Sequence, residues 1–151
     1  YDANRCFVLP ETAEKMHKVQ SDLREQGLGL RVYDCYRPVS ASEDMVQWTR
    51  ETNNTHLLGE YIASRSGHNK GNVIDLTLVD LQTGRELDMG KYDEFSSAAW
   101  TSNGASDIQR ANRQLLKSAM QKRGLTNYSK EWWHFSDNSA SAAERYTVPI
   151  Q

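Results

Sequence analysis

The sequence predicts an α+β fold in which helices flank a small, mixed and largely antiparallel sheet. The chain has 151 residues, the usual size of one domain. Its predicted elements run helix, strands, helix, strand with hairpin-like links, an order typical of α+β domains rather than of doubly wound parallel sheets. With 38% hydrophobic and 25% charged residues, the composition is that of a globular protein. We therefore expect a single domain over residues 1–151.

Charge and hydropathy exclude two classes of partner. The formal net charge of -2 leaves no basic excess with which to neutralise phosphates, so nucleic acid is not an expected partner. The sequence also has no apolar run approaching the roughly 18 to 20 residues that a bilayer crossing needs. A small polar or zwitterionic substrate fits this composition better.

The first predicted helix covers about Pro10 to Gln26. Its buried stripe recurs at helical spacing and consists of Ala13, Met16, Val19, Gln20 and Leu23. Pro10 suits the first helical turn, and Gly27 follows the last one. We expect this amphipathic helix to pack one face on the sheet.

A strand is predicted next, from Leu28 to Tyr36, because strand-forming residues make a short run that Arg37-Pro38 closes. A second helix is expected from about Ala41 to Arg50. Its expected buried side is Met45, Val46 and Trp48. The polar stretch from Glu51 to His56 is expected to be a loop.

The run Val73 to Val79 predicts a strand with two distinct faces. Alternation places Ile74, Leu76 and Leu78 on one face and Val73, Asp75 and Thr77 on the other. A carboxylate on so apolar a strand needs a partner. For Asp75 taken alone, a buried salt bridge is the ordinary explanation.

The last third of the chain predicts an irregular region, a helix and a strand. Ser96 to Ser106, rich in Ser, Ala, Asn and Gly, is expected to be irregular and to flank the site. A third helix is expected from about Asp107 to Arg123. Its expected buried stripe is Ile108, Ala111, Leu115, Ala119 and Met120. The final predicted strand is Trp132 to Phe135.

One constellation of residues carries the chemistry. It reads Ser66-x-His68-x-x-Gly71-x-x-x-Asp75 and, much later, Glu131-x-x-His134. Catalytic zinc usually takes three protein ligands and leaves a fourth position for water, and two His with one Asp supply such a set. A turn at Gly71 can bring His68 back beside Asp75. Glu131 must precede the strand, on a bend, if it and His134 are to approach the same metal.

Single residues of these types have ordinary explanations too. We interpret His17 and His56 as structural or surface residues, and Trp132 and Trp133 as core and pocket wall. Glu131 taken alone could be a solvated carboxylate. The joint pattern, rather than any one residue, predicts the metal site.

The two cysteines, Cys6 and Cys35, have no metal-ligand spacing. A disulfide between them and a pair of free thiols in a reducing compartment both fit the sequence, because connectivity cannot be deduced from spacing.

Three motifs resemble those of D-Ala-D-Ala dipeptidases of the VanX type. They are the run from Ser66 to Leu78, the run Tyr33-Asp34-Cys35-Tyr36-Arg37-Pro38, and Glu131-Trp132-Trp133-His134. The resemblance runs from about Arg5 to Phe135. It implies the hedgehog/D,D-peptidase-like fold of the wider zinc D,D-peptidases, which agrees with the predicted α+β class.

The resemblance also implies a role for each matching residue. One Zn²⁺ per chain would be held by His68, Asp75 and His134, with Glu131 as catalytic base. Arg37 matches the arginine that stabilises the tetrahedral intermediate. Ser66 and Asp93 match substrate-contacting positions, Asp93 facing the free ammonium of the dipeptide.

The implied activity is hydrolysis of D-Ala-D-Ala to two D-alanines. One alternative is a D,D-carboxypeptidase or endopeptidase acting on peptidoglycan stem peptides, and a second is a catalytically silent wall-binding module. Relatives with a similar cysteine pair look exported, which favours a periplasmic or secreted location over a cytoplasmic one. The sequence leaves the oligomeric state open.

Two departures from the family pattern concern the walls of the site. Family members commonly carry a small residue where Val73 stands, so we expect a bulkier wall beside the zinc. They also carry a site-closing N-terminal segment with an Asn-Phe-x-Gly-like motif, which this sequence does not contain. Either the sequence has been trimmed or the pocket is more open.

Overall fold

The computed structural model describes residues 5–63, 65–92, 95–104, 106–140 and 144–150. Within these residues the helices are α1 (Pro10–Arg24), α2 (Val39–Glu51) and α3 (Asp107–Lys122). The strands are β1 (Leu28–Asp34), β2 (Val73–Asp80), β3 (Thr126–Asn127) and β4 (His134–Ser136). They form one four-stranded sheet in the order β1-β2-β4-β3. Each neighbouring pair is antiparallel, which confirms the predicted α+β class.

The two faces of β2 have different surroundings: one faces α1, and the other carries Asp75. Leu30 of β1 pairs with Leu78, and Leu30 and Ile74 line a surface cleft together with Met16 of α1. Asp75 projects from the opposite face because side chains alternate along a strand. Helix α3 packs beside α1 and contacts β2, and Val19, Leu23, Leu116 and Met120 are fully buried in the core. The core thus supports the strand that carries Asp75.

The predicted helices occur in place, and Met120 is buried as expected, but the predicted buried faces of α2 and α3 are each wrong in part. Trp48 of α2 is 43% exposed, and Ser42 and Thr49 are that helix's buried residues. Ile108 of α3 is 65% exposed, and the buried positions on this helix include Arg113 and Leu116. Both errors follow from assigning the apolar residues to the inner face without knowing what packs there.

A disulfide joins Cys6 to Cys35, with their Cα atoms 5.4 Å apart. It holds the segment before α1 against the end of β1, where Tyr36 N–H also donates to the Phe7 carbonyl. The bond therefore lies next to the motif that contains Arg37.

Reducing this disulfide is expected to lower the free energy of unfolding by about 3 to 4 kcal/mol. The reason is that a cross-link spanning 29 residues restricts the unfolded chain by about that amount. Urea unfolding with and without a dithiol reductant measures the loss. The variant carrying both Cys6→Ser and Cys35→Ser is the control and should not respond to reductant; equal midpoints for the oxidised and reduced wild type would contradict the prediction.

Asp137, just after β4, ties the C-terminal segment to α1. Its side chain is fully buried and accepts hydrogen bonds from Thr12 Oγ1, Lys15 Nζ and the backbone N–H of Ser139. Burial by itself would raise the pKa of Asp137, but Lys15 and Ser139 outweigh burial and hold the pKa below its usual value.

The Asp137→Asn variant is expected to lose about 2 kcal/mol of unfolding free energy at neutral pH, since a buried charged hydrogen bond contributes that much. A carboxyl whose pKa is lowered on folding stabilises the protein above its unfolded pKa of about 3.9, and that stability is lost as pH falls through the folded pKa. Urea unfolding at pH 7 and pH 3 should therefore show a smaller pH effect in Asp137→Asn than in the wild type. Asp44→Asn, on the exposed side of α2, is the control and should match the wild type.

Candidate metal centre

Three donor residues converge beside β2. Donor atoms of His68, Asp75 and His134 all lie within 4.8 Å of one another. His68 and Asp75 are buried, with 2% and 4% of their surface exposed. The structure thus brings together the three residues that the sequence predicts as metal ligands.

The local fold explains the convergence. Asp75 and His134 are directly opposite in the β2–β4 pair, so their side chains share one face of the sheet. His68 lies in the 3-10 helix Gly67–Lys70, immediately before β2. Gly71 ends this helix with a φ of 71°, a left-handed conformation that glycine adopts without steric cost. The predicted turn at Gly71 is therefore confirmed.

The hydrogen bond that His68 makes with the backbone indicates that the centre suits a cation. His68 Nδ1 lies 2.7 Å from the Cys35 carbonyl oxygen, which can only accept, so Nδ1 carries the proton. In the neutral imidazole, Nε2 then presents a lone pair to Asp75 Oδ1 at 3.3 Å. That oxygen is buried, lies 3.1 Å from His134 Nδ1, and has no hydrogen bond of good geometry within the described part of the chain. Two acceptors that face each other in a buried site are unfavourable by themselves. A cation bound between them would satisfy both.

The charges of the centre also favour a bound cation. Burial by itself would raise the pKa of Asp75, but neighbouring positive charge and hydrogen bonding, chiefly from the histidine side of the site, outweigh burial and lower it, so the carboxylate is ionised. Burial would lower the pKa of His134, but the carboxylates of Asp75 and Glu131 raise it to about 9. A raised pKa on an imidazole beside two carboxylates marks an excess of negative charge in the site, and a divalent metal would take the place of the His134 proton when it binds.

Glu131 lies next to the donors without being one of the three. Its Oε2 is 3.2 Å from His134 Nδ1, and the residue is 7% exposed. It precedes a turn that leads into β4, as the sequence predicts. Its backbone is fixed because the N–H donates to Tyr128 O and the carbonyl accepts from Asn127 Nδ2.

Arg37 follows the end of β1 and borders the cavity into which the three donor residues open. Its Nε and Nη2 donate to Asp34 Oδ2 at 2.9 and 2.7 Å. Its backbone N–H donates to the carbonyl of His68. Asp34, which the sequence analysis gave no role, thus orients the guanidinium; the only sequence signal for it was its place in the motif that ends at Pro38.

Ser66 lies at the start of the 3-10 helix that carries His68. Its hydroxyl oxygen accepts from the His68 N–H at 3.2 Å, and the residue borders the cavity. It therefore orients one of the three donor residues as well as facing the site. Asp93, the other predicted substrate contact, lies outside the described residues.

The cavity has a volume of about 320 Å³, and aromatic side chains form much of its wall. Trp133 borders it, while Trp132 is 1% exposed in the core, which confirms the interpretation of both tryptophans. Aromatic wall residues that the sequence analysis missed are Tyr61, Tyr92, Phe95 and Tyr128. They lie in loops without hydrophobic periodicity, so no sequence pattern indicated them.

Val73 has a different place from the one expected. The expectation was a bulkier wall beside the metal. In the structure Val73 borders a neighbouring cleft with Gly67 and Ser136, and its Cγ2 would lie 2.8 Å from a Cβ added at Gly67. It is not among the described residues that line the metal cavity.

Comparison with known proteins identifies the family. The family described as D-Ala-D-Ala dipeptidase, within the M15 peptidases, matches residues 1–150. The chain belongs to this family. It is 34% identical to a D-alanyl-D-alanine dipeptidase of Enterococcus faecium, over 89% of this chain and 75% of that protein. It is also 34% identical to a D-alanyl-D-alanine dipeptidase of Escherichia coli strain K12, over 89% and 68% of the two chains.

A solved structure with low sequence identity to this chain has the same fold. It is a mutant of the vancomycin-resistance D,D-pentapeptidase VanY in complex with Zn(II). The TM-score is 0.51 at 11% identity, over 97% of this chain and 76% of that one. The D,D-peptidase-like fold that the resemblance implied is therefore confirmed. No helix in the described ranges is both long and apolar enough to cross a bilayer.

Proposed function

We propose that this chain is a zinc metallopeptidase that hydrolyses D-Ala-D-Ala to two D-alanines. The observation that carries the proposal is the buried His68, Asp75 and His134 donor set with Glu131 beside it, in a member of the D-Ala-D-Ala dipeptidase family. Both relatives described above bear the name of that activity.

One Zn²⁺ per chain would be held by His68, Asp75 and His134. When bound there, zinc would polarise the scissile carbonyl and lower the pKa of the attacking water to about 7. The Cys35 carbonyl contributes indirectly, because its hydrogen bond with His68 Nδ1 fixes the tautomer that offers Nε2 as a ligand.

Glu131 is the general base in this proposal. Its carboxylate faces the cavity at the edge of the donor set, where it can take a proton from the attacking water. As the C–N bond breaks, the same group returns the proton to the leaving amine. The short separation from His134 supports this role, since the carboxylate must stand next to the metal without ligating it.

Arg37 supplies the positive charge in this proposal. Its guanidinium is fixed by Asp34, so it can meet the negative charge that develops on the carbonyl oxygen without first rearranging. Ser66 and Asp93 would contact the dipeptide, Asp93 through the free ammonium; for Asp93 the support is the sequence resemblance alone.

The Arg37→Ala variant is expected to lower kcat by about 10²- to 10³-fold, the usual effect of removing one donor that stabilises an oxyanion. Zinc content should not change, because the Arg37 backbone N–H still donates to the His68 carbonyl. Steady-state kinetics with D-Ala-D-Ala and metal analysis measure the two effects. Arg31→Ala, on the exposed part of β1, is the control; equal losses in both variants would remove the specific role of Arg37.

The activity itself is tested with purified, zinc-loaded protein. D-Ala-D-Ala and a pentapeptide stem ending in D-Ala-D-Ala are assayed side by side for release of D-alanine. We expect turnover of the free dipeptide to exceed that of the stem. Faster cleavage of the stem would replace the dipeptidase proposal with a D,D-carboxypeptidase, and failure to cleave either at full zinc occupancy would end both.

We also propose that the protein works in an oxidising compartment, either the periplasm or outside the cell. The Cys6–Cys35 disulfide supports this location, because such bonds persist where thiols are not kept reduced. Cell fractionation with thiol labelling tests it; reduced cysteines in a cytosolic fraction would contradict it.

A further inference from the structure

Arg113 is a buried cation that the proposed mechanism does not use. It lies on α3 and is 2% exposed. Its Nε donates to the Met89 carbonyl at 2.7 Å, and its Nη1 donates to the carbonyls of Ala98 and Trp100 at 2.8 and 2.7 Å. Burying a guanidinium is costly unless its donors are used, so these contacts hold the segment around it in a defined shape.

That segment forms one wall of the substrate cavity. Residues 89–92 and 95–100 are described, and they carry Tyr92 and Phe95 to the cavity. Gly90, with a φ of 84°, lets the backbone approach the guanidinium: a Cβ there would be 2.7 Å from Arg113 Nη2. The cavity wall is therefore folded around the side chain of Arg113.

The same segment is also hydrogen-bonded to the loop of residues 128–133, which carries Glu131. The Trp132 N–H donates to the Ala99 carbonyl at 2.9 Å, and the Thr101 N–H donates to the Ser129 carbonyl at 2.9 Å. The Arg113 guanidinium also lies 5.7 Å from the centre of the Trp132 ring. Glu131 has anchors of its own in Tyr128 and Asn127, so the wall depends on Arg113 more directly than the base does.

We propose that Arg113 is a positioning residue that sets the aromatic wall of the substrate cavity and thereby the affinity for substrate. The inference rests on the proposed dipeptidase function, for which it adds a determinant of substrate binding far from the metal ligands in sequence. Tyr92 and Phe95 are the groups through which Arg113 acts.

The first test is Arg113→Lys, which keeps the charge but loses the planar fork that reaches several carbonyls at once. We expect the variant to retain zinc and to raise KM for D-Ala-D-Ala by about tenfold while kcat changes by less than about threefold. Arg110→Lys is the matched control, because Arg110 is on the exposed side of the same helix and bonds the carbonyl of Gly104. Its KM should equal that of the wild type.

Gly90→Ala is the second test. It shows whether Arg113 positions the cavity wall even if Arg113→Lys does not fold. The added methyl group displaces either the guanidinium or the wall, so the same rise in KM is expected. An unchanged KM in the folded variants would overturn the proposal. So would a loss of turnover that follows a loss of zinc, because Arg113 would then act on the metal centre.

Hydrogen exchange gives a readout that does not depend on activity. In Arg113→Lys the amides of Thr101 and Trp132 should lose protection, while those of the β1–β2 pair keep it. A wild type that does not hydrolyse D-Ala-D-Ala would contradict the proposed function but leave this readout intact. Unchanged exchange at both amides would refute the positioning role, whatever the activity.

Discussion

Glu131→Gln is expected to bind zinc as the wild type does and to lower kcat for D-Ala-D-Ala by about 10³-fold. General acid–base catalysis contributes about 10²- to 10⁴-fold, and this side chain would both take and return the proton. Glutamine has nearly the same shape but cannot accept that proton. The donor set of His68, Asp75 and His134 is left in place, which is why metal binding should survive.

Kinetics with D-Ala-D-Ala and metal analysis of the same sample separate the two effects. Glu60→Gln is the matched control: Glu60 borders the same cavity but pairs with Lys130 near its outer edge. Its kcat should stay within a few-fold of the wild type. Normal turnover by Glu131→Gln would remove the assigned base, and loss of zinc from this variant would make Glu131 a part of the metal site instead.

His134→Ala is expected to abolish both zinc binding and turnover. The imidazole lies opposite Asp75 across the β2–β4 pair, so its removal takes one of three donors from the centre. Loss of a supporting contact alone costs about 10- to 100-fold in metal affinity, and we expect the loss of a ligand to cost more. Zinc titration against a competing chelator measures the affinity.

The control for this variant is His56→Ala, which removes an exposed imidazole from the 3-10 helix Thr55–Leu57. Zinc affinity and kcat should not change there. Full zinc occupancy of His134→Ala at wild-type affinity would show that the metal is bound elsewhere and would end the proposed mechanism.

The sequence predicted the elements that carry strong local signals. Helices α1 and α3 start at Pro10 and Asp107, as expected, and β2 starts at Val73. The two-residue strand β3 was not predicted, because Thr126–Asn127 is too short to show alternation. The final strand is His134–Ser136 rather than Trp132–Phe135, because residues 132 and 133 form the turn that follows Glu131.

By itself, the sequence determined the α+β class and the residue types and spacing that indicate a metal centre, because these depend on local pattern and on motifs that are contiguous in the chain. The tertiary structure alone decided that Trp48 and Ile108 lie outside the buried faces of α2 and α3, that Cys6 and Cys35 are joined, and that Asp34 bonds Arg37 while Arg113 bonds the Met89 carbonyl. Apart from the Asp34–Arg37 pair, each of these depends on contacts between residues distant in sequence. Hydrophobic periodicity shows that a helix or strand has an apolar face. Only the packed structure shows which residues that face contacts.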